Sequence, residues 1–186
     1  MKILVHLCCG PCAITSIQTL TGAGMEVTGL YYNPNIHPLT EYLRRREGVA
    51  EVAARLGIPV IYKDDEYDPK AYFRAVTFRE PNRCLPCYAL RLERTLAIAR
   101  RGGFDLFSTT LLYSKFQKHE QIRALGQDLA MGSAVGFHYE DFRLGWSEGI
   151  DLSRQWGVYR QQYCGCLYSE TERYASGLKD TARGKA

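Results

Sequence analysis

The sequence predicts an α/β fold: a three-layer arrangement in which a mostly parallel sheet of about five strands carries helices on both faces, followed by a helical C-terminal extension. Three observations predict it. Short apolar, partly β-branched runs alternate with stretches of helical periodicity as far as residue 139. Gly, Pro and Asn punctuate the junctions between them. Three cysteines crowd the first strand-to-helix turn, the place where open parallel sheets hold their ligands.

Residues 2–7 form a short apolar run closed by Gly10-Pro11 and read as the first buried strand. Pro11 suits the first turn of a helix over 13–20, which Gly22 and Gly24 end. Residues 25–32 are the second strand, stopped by Asn33-Pro34-Asn35-Ile36-His37-Pro38, whose prolines cannot continue a central strand. Over 40–56 the spacing of Leu43, Val49, Val52, Ala53 and Leu56 predicts a helix, with Arg44-Arg45-Arg46 between and Gly57 as its C-terminal cap. A third strand over 58–62, an acidic loop over 63–69 and a short helix over 71–76 follow. Arg83-Cys84-Leu85-Pro86-Cys87 introduces a long helix over 88–101, with Leu92, Leu96 and Ala99 inward and Arg91, Arg94, Arg100 and Arg101 as its basic residues. Gly102-Gly103 stops it. A fourth strand over 104–109, a helix over 115–129 and a fifth strand over 134–139 complete the alternation. Beyond it the pattern weakens to a loop over 141–146, a helix over 148–156, a turn over 163–166 and a last helix over 168–178. Residues 1–178 therefore read as a single catalytic domain and 179–186 as a polar tail. No repeat, linker or low-complexity tract interrupts them.

Bulk properties exclude several classes. At 186 residues, about 70% of the unfolded chain's surface can be buried, so the length suits one domain that needs no disulfide staples. The composition, 46% apolar and 24% charged, argues against disorder. No apolar run approaches the ~20 residues that span a membrane, and the N-terminus lacks a signal-peptide pattern, so a cytoplasmic location is expected. There, seven cysteines point to metal or catalysis rather than to a disulfide framework. The net charge of +4 permits a nucleic-acid partner without requiring one.

The cysteines carry the chemistry. Cys8, Cys9 and Cys12 close the first strand. Cys84 and Cys87 form a C-x2-C at a helix entrance, a spacing that serves zinc, an iron–sulfur cluster or a redox dithiol. Cys164-Gly165-Cys166 is a third close pair, which fits a metal chelate and a vicinal dithiol equally, with Gly permitting the tight backbone. Seven thiols exceed one four-thiolate site by three. The surplus indicates a cluster plus a second function, either another metal or a redox-active pair. Zinc carries no electrons, so redox work by the spare thiols favours iron–sulfur. The alternative is that all seven simply hold the fold.

The same first turn argues against ATP. Phosphate loops there use several glycines and free amides, whereas Cys-Cys-Gly-Pro-Cys-Ala offers one Gly, and Pro11 removes a donor. Other residues have two readings each. Asp141 could ligate iron or supply a proton, or simply pair with Arg143 in a turn. His6 lies within a strand, where a hydrogen-bonded core histidine is the commoner outcome. His37 and His119 read as substrate contacts or surface residues. Arg44-Arg45-Arg46 reads as a solvated face or, with Arg91, Arg94, Lys115, Lys118 and Arg123, as a phosphate-binding rim.

These residues together resemble the QueH-type epoxyqueuosine reductases. The resemblance covers nearly the whole chain. It rests on His6-x-Cys8-Cys9-Gly10-Pro11-Cys12, Tyr32-Asn33-Pro34-Asn35-Ile36-His37-Pro38 with Glu41-Tyr42, and Arg83-Cys84-Leu85-Pro86-Cys87-Tyr88-x-Leu90-Arg91-Leu92. It continues through Ser108–Leu112, Gln117-Lys118-His119, Asp141-Phe142-Arg143 and Tyr159–Cys166. It implies a HUP or PP-loop-like fold and removal of the epoxide oxygen of epoxyqueuosine at the tRNA wobble position, independent of cobalamin. It also implies a [4Fe-4S] cluster with an additional mononuclear iron, and an electron donor of unspecified identity. On that reading Cys8, Cys9, Cys84 and Cys87 hold the cluster. Cys12, Cys164, Cys166 and Asp141 remain for the second iron or for a catalytic redox pair and acid. His37, Arg91, Lys118, His119 and Arg143 would contact substrate or tRNA. Two rivals share parts of the pattern: a PP-loop ATP-dependent tRNA-modifying enzyme, and a non-enzymatic zinc module that binds RNA.

Overall fold

The structure, a computed structural model, describes residues 1–182, with side chains described through residue 177. Strands β1 (Lys2–His6), β2 (Glu26–Tyr31), β3 (Val60–Tyr62), β4 (Leu106–Thr109) and β5 (Gly136–Phe137) form one sheet in the order β3-β2-β1-β4-β5. Every pairing is parallel. β1 is central, and its Ile3, Leu4 and Val5 are wholly buried, as expected for a strand covered on both faces.

The helices are α1 (Gly10–Gly22), α2 (Leu39–Leu56), α3 (Pro69–Val76), α4 (Cys84–Arg101), α5 (His119–Ala130), α6 (Trp146–Gln155) and α7 (Leu167–Ala182). α1 packs against α2 and α6 in one layer, and α4 against α3 and α5 in the other. Strand order reverses between β1 and β4, so the crevice lies where their C-terminal ends diverge. Cys8 leaves β1 there, and its amide donates to the hydroxyl of Thr110, the first residue after β4 (3.1 Å).

Several boundaries differ from the sequence expectation, each for a local reason. α1 starts at Gly10 rather than 13, with Pro11 in its first turn, so Cys12 is already helical. α4 starts at Cys84 rather than 88. Its C-x2-C therefore forms the first turn, where Pro86 removes an amide that has no partner within the helix. Residues 110–113 form a 3-10 turn capped by the Thr109 hydroxyl, which delays α5 to His119. The fifth strand shrinks to two residues. The loop expected over 141–146 contains a 3-10 turn, Phe142–Gly145, and runs straight into α6. The last helix continues to Ala182, and residues 183–186 of the expected polar tail lie outside the described residues. Among the described residues no helix is long and apolar enough to cross a membrane.

Gly10 sets how closely the thiol-bearing turn approaches α2. A Cβ at this position would lie 2.5 Å from the Gly48 carbonyl oxygen and 2.7 Å from Val158 Cγ1. Gly10→Ala must therefore part the two helices, at a cost of about 1–3 kcal/mol. Chemical denaturation is expected to show that loss; an unchanged midpoint would mean the helices separate freely.

Candidate active site

The end of β1 and the first turn of α1 bring Cys8, Cys9 and Cys12 together, with all three sulfurs within 4.8 Å of one another and all three residues buried. Cys9 and Cys12 are joined as a disulfide, and Cys8 is free. The Gln161 side-chain amide donates to Cys9 Sγ (2.9 Å), and the Thr110 hydroxyl donates to Cys8 Sγ (3.4 Å). Burial pushes the Cys8 thiol up, against the opposing pull of the Thr110 hydroxyl and the positive charges of Arg91 and Arg45. Disulfide sulfurs are not thiolates, so this group can hold a metal with all three sulfurs only when reduced.

A second group faces it. Cys84 and Cys87 on the first turn of α4, with Cys164 and Cys166 from the segment before α7, line a cavity of about 220 Å³ together with Arg91, Asn35 and Gln117. Burial pushes the Cys84 thiol up, and takes that of Cys87 to about 12. At Cys166 burial acts in the same direction and is the largest single influence, but hydrogen bonds from Ser169, Tyr72 and Arg83 together leave the thiol below its usual range. Cys164 is exposed, and its sulfur accepts from the Gln117 amide (3.2 Å).

Arg91 lies between the two groups. It is 2% exposed, donates through Nη2 to Cys87 Sγ (3.1 Å) and through Nε to the Cys87 carbonyl (3.0 Å), and pairs with no carboxylate among the described residues. Burial works against its charge, and the sulfurs of Cys87, Cys164 and Cys8 support it. A guanidinium stays protonated even when buried. The site is therefore built to receive negative charge at its sulfurs.

A larger cavity, about 610 Å³, opens beside the thiols. It is lined by Cys8, Cys12 and Cys164, by the aromatic residues Tyr113, Phe116 and Trp146, and by Arg45, Arg160 and Gln161. Its volume falls within the 300–1,000 Å³ typical of small-molecule cavities. Cys164, Phe116 and Gln117 border both cavities.

Arg45 corrects the expectation for Arg44-Arg45-Arg46. Instead of a solvated face, its side chain is 2% exposed. Nε donates to Glu41 Oε1 (2.7 Å), while Nη1 and Nη2 donate to the carbonyls of Cys164 (2.8 Å) and Tyr163 (2.9 Å). Tyr159 Oη donates to the other Glu41 oxygen (2.6 Å). Gly165, at φ +138°, passes close under this guanidinium, and a Cβ there would come within 3.1 Å of Nη1. The signal lay in register: Tyr42, Arg45, Val49 and Val52 share one helical face and are all buried. Of the remaining expected rim, Arg46 pairs with Asp64 and Arg94 with Glu66, which neutralises both.

The other expected residues divide. Asp141 is held by Arg143 through two hydrogen bonds (2.7 and 2.6 Å), which keep its carboxyl below the usual range, and it borders neither cavity. His6 is a core histidine bonded to Thr109 and Asn33, and burial takes it down to about 3. His37 is buried beneath Phe73 (4.7 Å between centroids), with burial taking it to about 4; His119 is buried with Nε2 against the Ser114 carbonyl (3.2 Å). Burial removes His37, His119 and Arg91 from the outer surface, leaving Lys118 and Arg143 as the exposed members of that expected set.

Fold and site define a class: a parallel α/β protein with cysteines at the C-terminal end of its central strand, where open sheets of this kind hold their ligands. A solved structure, the predicted subunit of a tRNA methyltransferase from Methanocaldococcus jannaschii, matches with a TM-score of 0.54 over 83% of this chain and 74% of that one. At 14% identity this is a likeness of fold alone. The family model for epoxyqueuosine reductase QueH matches residues 3–172. Epoxyqueuosine reductase QueH of Dehalococcoides mccartyi is 36% identical over 93% of this chain and 94% of its own length; that of Thermotoga maritima is 37% identical over 92% and 91%. The chain belongs to the epoxyqueuosine reductase QueH family and is an oxidoreductase.

Proposed function

We propose that this chain removes the epoxide oxygen of epoxyqueuosine in tRNA, giving queuosine, in the cytoplasm and without cobalamin. The observation that carries the reading is the convergence of two thiol groups on the buried, carboxylate-free Arg91 beside a cavity of small-molecule size. The donor set fits an anionic iron–sulfur centre. Its sulfurs come from two chain segments, with a third close by at Cys164 and Cys166, and the buried Arg91 provides a cation for it. Once two electrons and two protons have reduced the Cys9–Cys12 disulfide to thiols, Cys8, Cys9, Cys84 and Cys87 would hold a [4Fe-4S] cluster as thiolates, leaving Cys12, Cys164 and Cys166 for an adjacent iron or a redox pair. Asp141 stays outside this set while Arg143 holds it.

The reaction consumes two electrons and two protons, converting the epoxide to an alkene and water. When bound, such metal centres supply single electrons and a Lewis acid for the departing oxygen. The chain's own residues do the rest. Gln161 and Gln117 donate to sulfur and hold Cys9 and Cys164 in place. Tyr113 and Trp146 give the cavity an apolar lining for a cyclopentyl ring. Arg45 fixes the backbone that carries Cys164. Electrons come from an external one-electron donor.

The test is anaerobic purification with iron, zinc and acid-labile sulfide analysis, an optical spectrum, and turnover of epoxyqueuosine tRNA with a chemical reductant. About four or five irons with sulfide and visible charge-transfer absorption are expected. Zinc without sulfide would replace this reading with that of an RNA-binding module, and turnover by iron-free protein would sink the mechanism.

A further inference from the structure

The side chain of Phe116 is 85% exposed, an unusual cost for an aromatic ring so close to a cavity. Its backbone is nonetheless fixed. The Phe116 amide donates to the Ser114 hydroxyl (3.2 Å), and the Gln117 amide donates to the Ser114 carbonyl (3.2 Å). The Gln117 side chain spans from the Tyr88 hydroxyl (2.9 Å) to Cys164 Sγ (3.2 Å), so the residue beside Phe116 touches both α4 and the thiols.

Phe116 does not stand alone. Its ring meets the edge of Trp146 (6.1 Å between centroids, 77°), and Trp146 is in turn stacked on Tyr113 (5.0 Å, 27°). Lys115 Nζ lies 5.5 Å from the Trp146 ring centroid. Arg160 and Arg173 line the same cavity, and neither they nor Lys115 pair with a carboxylate among the described residues. The mouth thus combines an exposed, braced aromatic face with cations that lack counter-ions. Stacked aromatic faces beside unpaired cations are what single-stranded nucleic acid binds, base on ring and phosphate on cation.

We propose that Phe116, braced by Trp146, is a stacking platform for an unpaired RNA base at the cavity mouth, with Lys115 holding an adjacent phosphate. This rests on the tRNA-reductase reading and assigns the residues that meet the loop. The base stacked on Phe116 neighbours the one entering the cavity, because Phe116 also borders the thiol-lined space.

The test measures binding of the full chain, prepared anaerobically, to a synthetic anticodon stem-loop with guanosine at the wobble position and to a blunt duplex of the same length. Phe116→Ala is expected to bind the stem-loop about 5- to 150-fold more weakly, the range that loss of one base stack gives. Its salt dependence and thermal midpoint should be unchanged, and Phe116→Trp should restore affinity. Lys115→Ala should lower the slope of log affinity against log salt by about 0.7. Met131→Ala, exposed but bordering neither cavity, is the control and should match wild type. Duplex binding should be equal for wild type and Phe116→Ala. Wild-type binding to the stem-loop with Phe116→Ala within twofold of it overturns the platform alone. Absence of stem-loop binding by wild type overturns both the platform and the tRNA-substrate reading.

Discussion

On the proposed cluster assignment, Arg91→Met is expected to change stability in opposite directions in the metal-free and the metal-loaded protein. Without metal, Arg91 is a buried cation whose companions are thiols, and burial keeps the Cys87 thiol protonated to about pH 12. Replacing such an uncompensated charge with an apolar side chain of similar length is expected to be neutral or stabilising. On the proposed cluster assignment, metal binding would deprotonate the Cys87 sulfur, and Arg91 Nη2, which donates to it at 3.1 Å, would become a charge-assisted donor. Losing a hydrogen bond to a charged group costs about 1.5–3 kcal/mol, or roughly 10- to 150-fold in metal retention. Chelator competition followed by visible absorption, with thermal unfolding of both forms, reads the two effects separately. A metal-free variant several degrees less stable than wild type would show that Arg91 serves the fold and not the anionic site.

The sheet, its five strands and the helix order were legible because parallel strands buried on both faces leave continuous apolar runs between glycine stops; residues 2–7 and 25–32 are examples. The end of β1 could be located for the same reason, and with it Cys8, Cys9 and Cys12. Periodicity said less about α4. Pro86 made Cys84-x-x-Cys87 look like a lead-in rather than a first helical turn, although proline is tolerated there.

Burial of charge was the main thing hidden. Arg45 and Arg91 each sit in runs rich in basic residues, and composition alone reads such runs as solvent-facing. What distinguishes them is position. Arg45 follows Tyr42 by three and precedes Val49 by four, and Arg91 adjoins Leu92 on the side that carries Tyr88, Thr95 and Leu96 into the core. For Asp141 the sequence offered pairing with Arg143 in a turn beside a catalytic role, and it could not choose between them because the bidentate pair depends on a 3-10 turn that Asp141 itself caps. Nor could it separate Phe116 from ordinary core aromatics, since its exposure is set by the tertiary placement of the loop after the Thr110–Tyr113 turn.

Arg45→Met is expected to be the most destabilising single change near the site. Three acceptors lose a donor at once: Glu41, itself buried and left with Tyr159 alone, and the carbonyls of Tyr163 and Cys164. Breaking a buried pair from one side costs about 3–5 kcal/mol, because the surviving charge stays buried. At about 2–4 °C per kcal/mol for a chain of this size, the thermal midpoint should fall on the order of 6–20 °C. Glu41→Gln added to Arg45→Met should recover part of that loss, since it removes the stranded carboxylate. Arg45→Lys separates the clamp from the ion pair. Lysine retains the charge for Glu41 but lacks the planar fork that reaches two successive carbonyls. Arg45→Lys should therefore keep most of the stability while hydrogen exchange rises over 163–166, and with it the alkylation rate of Cys164. Unchanged exchange there would mean that Tyr163 Oη on the His37 carbonyl and the His37 amide on the Gly165 carbonyl already fix the turn, with Arg45 serving only its partner acid.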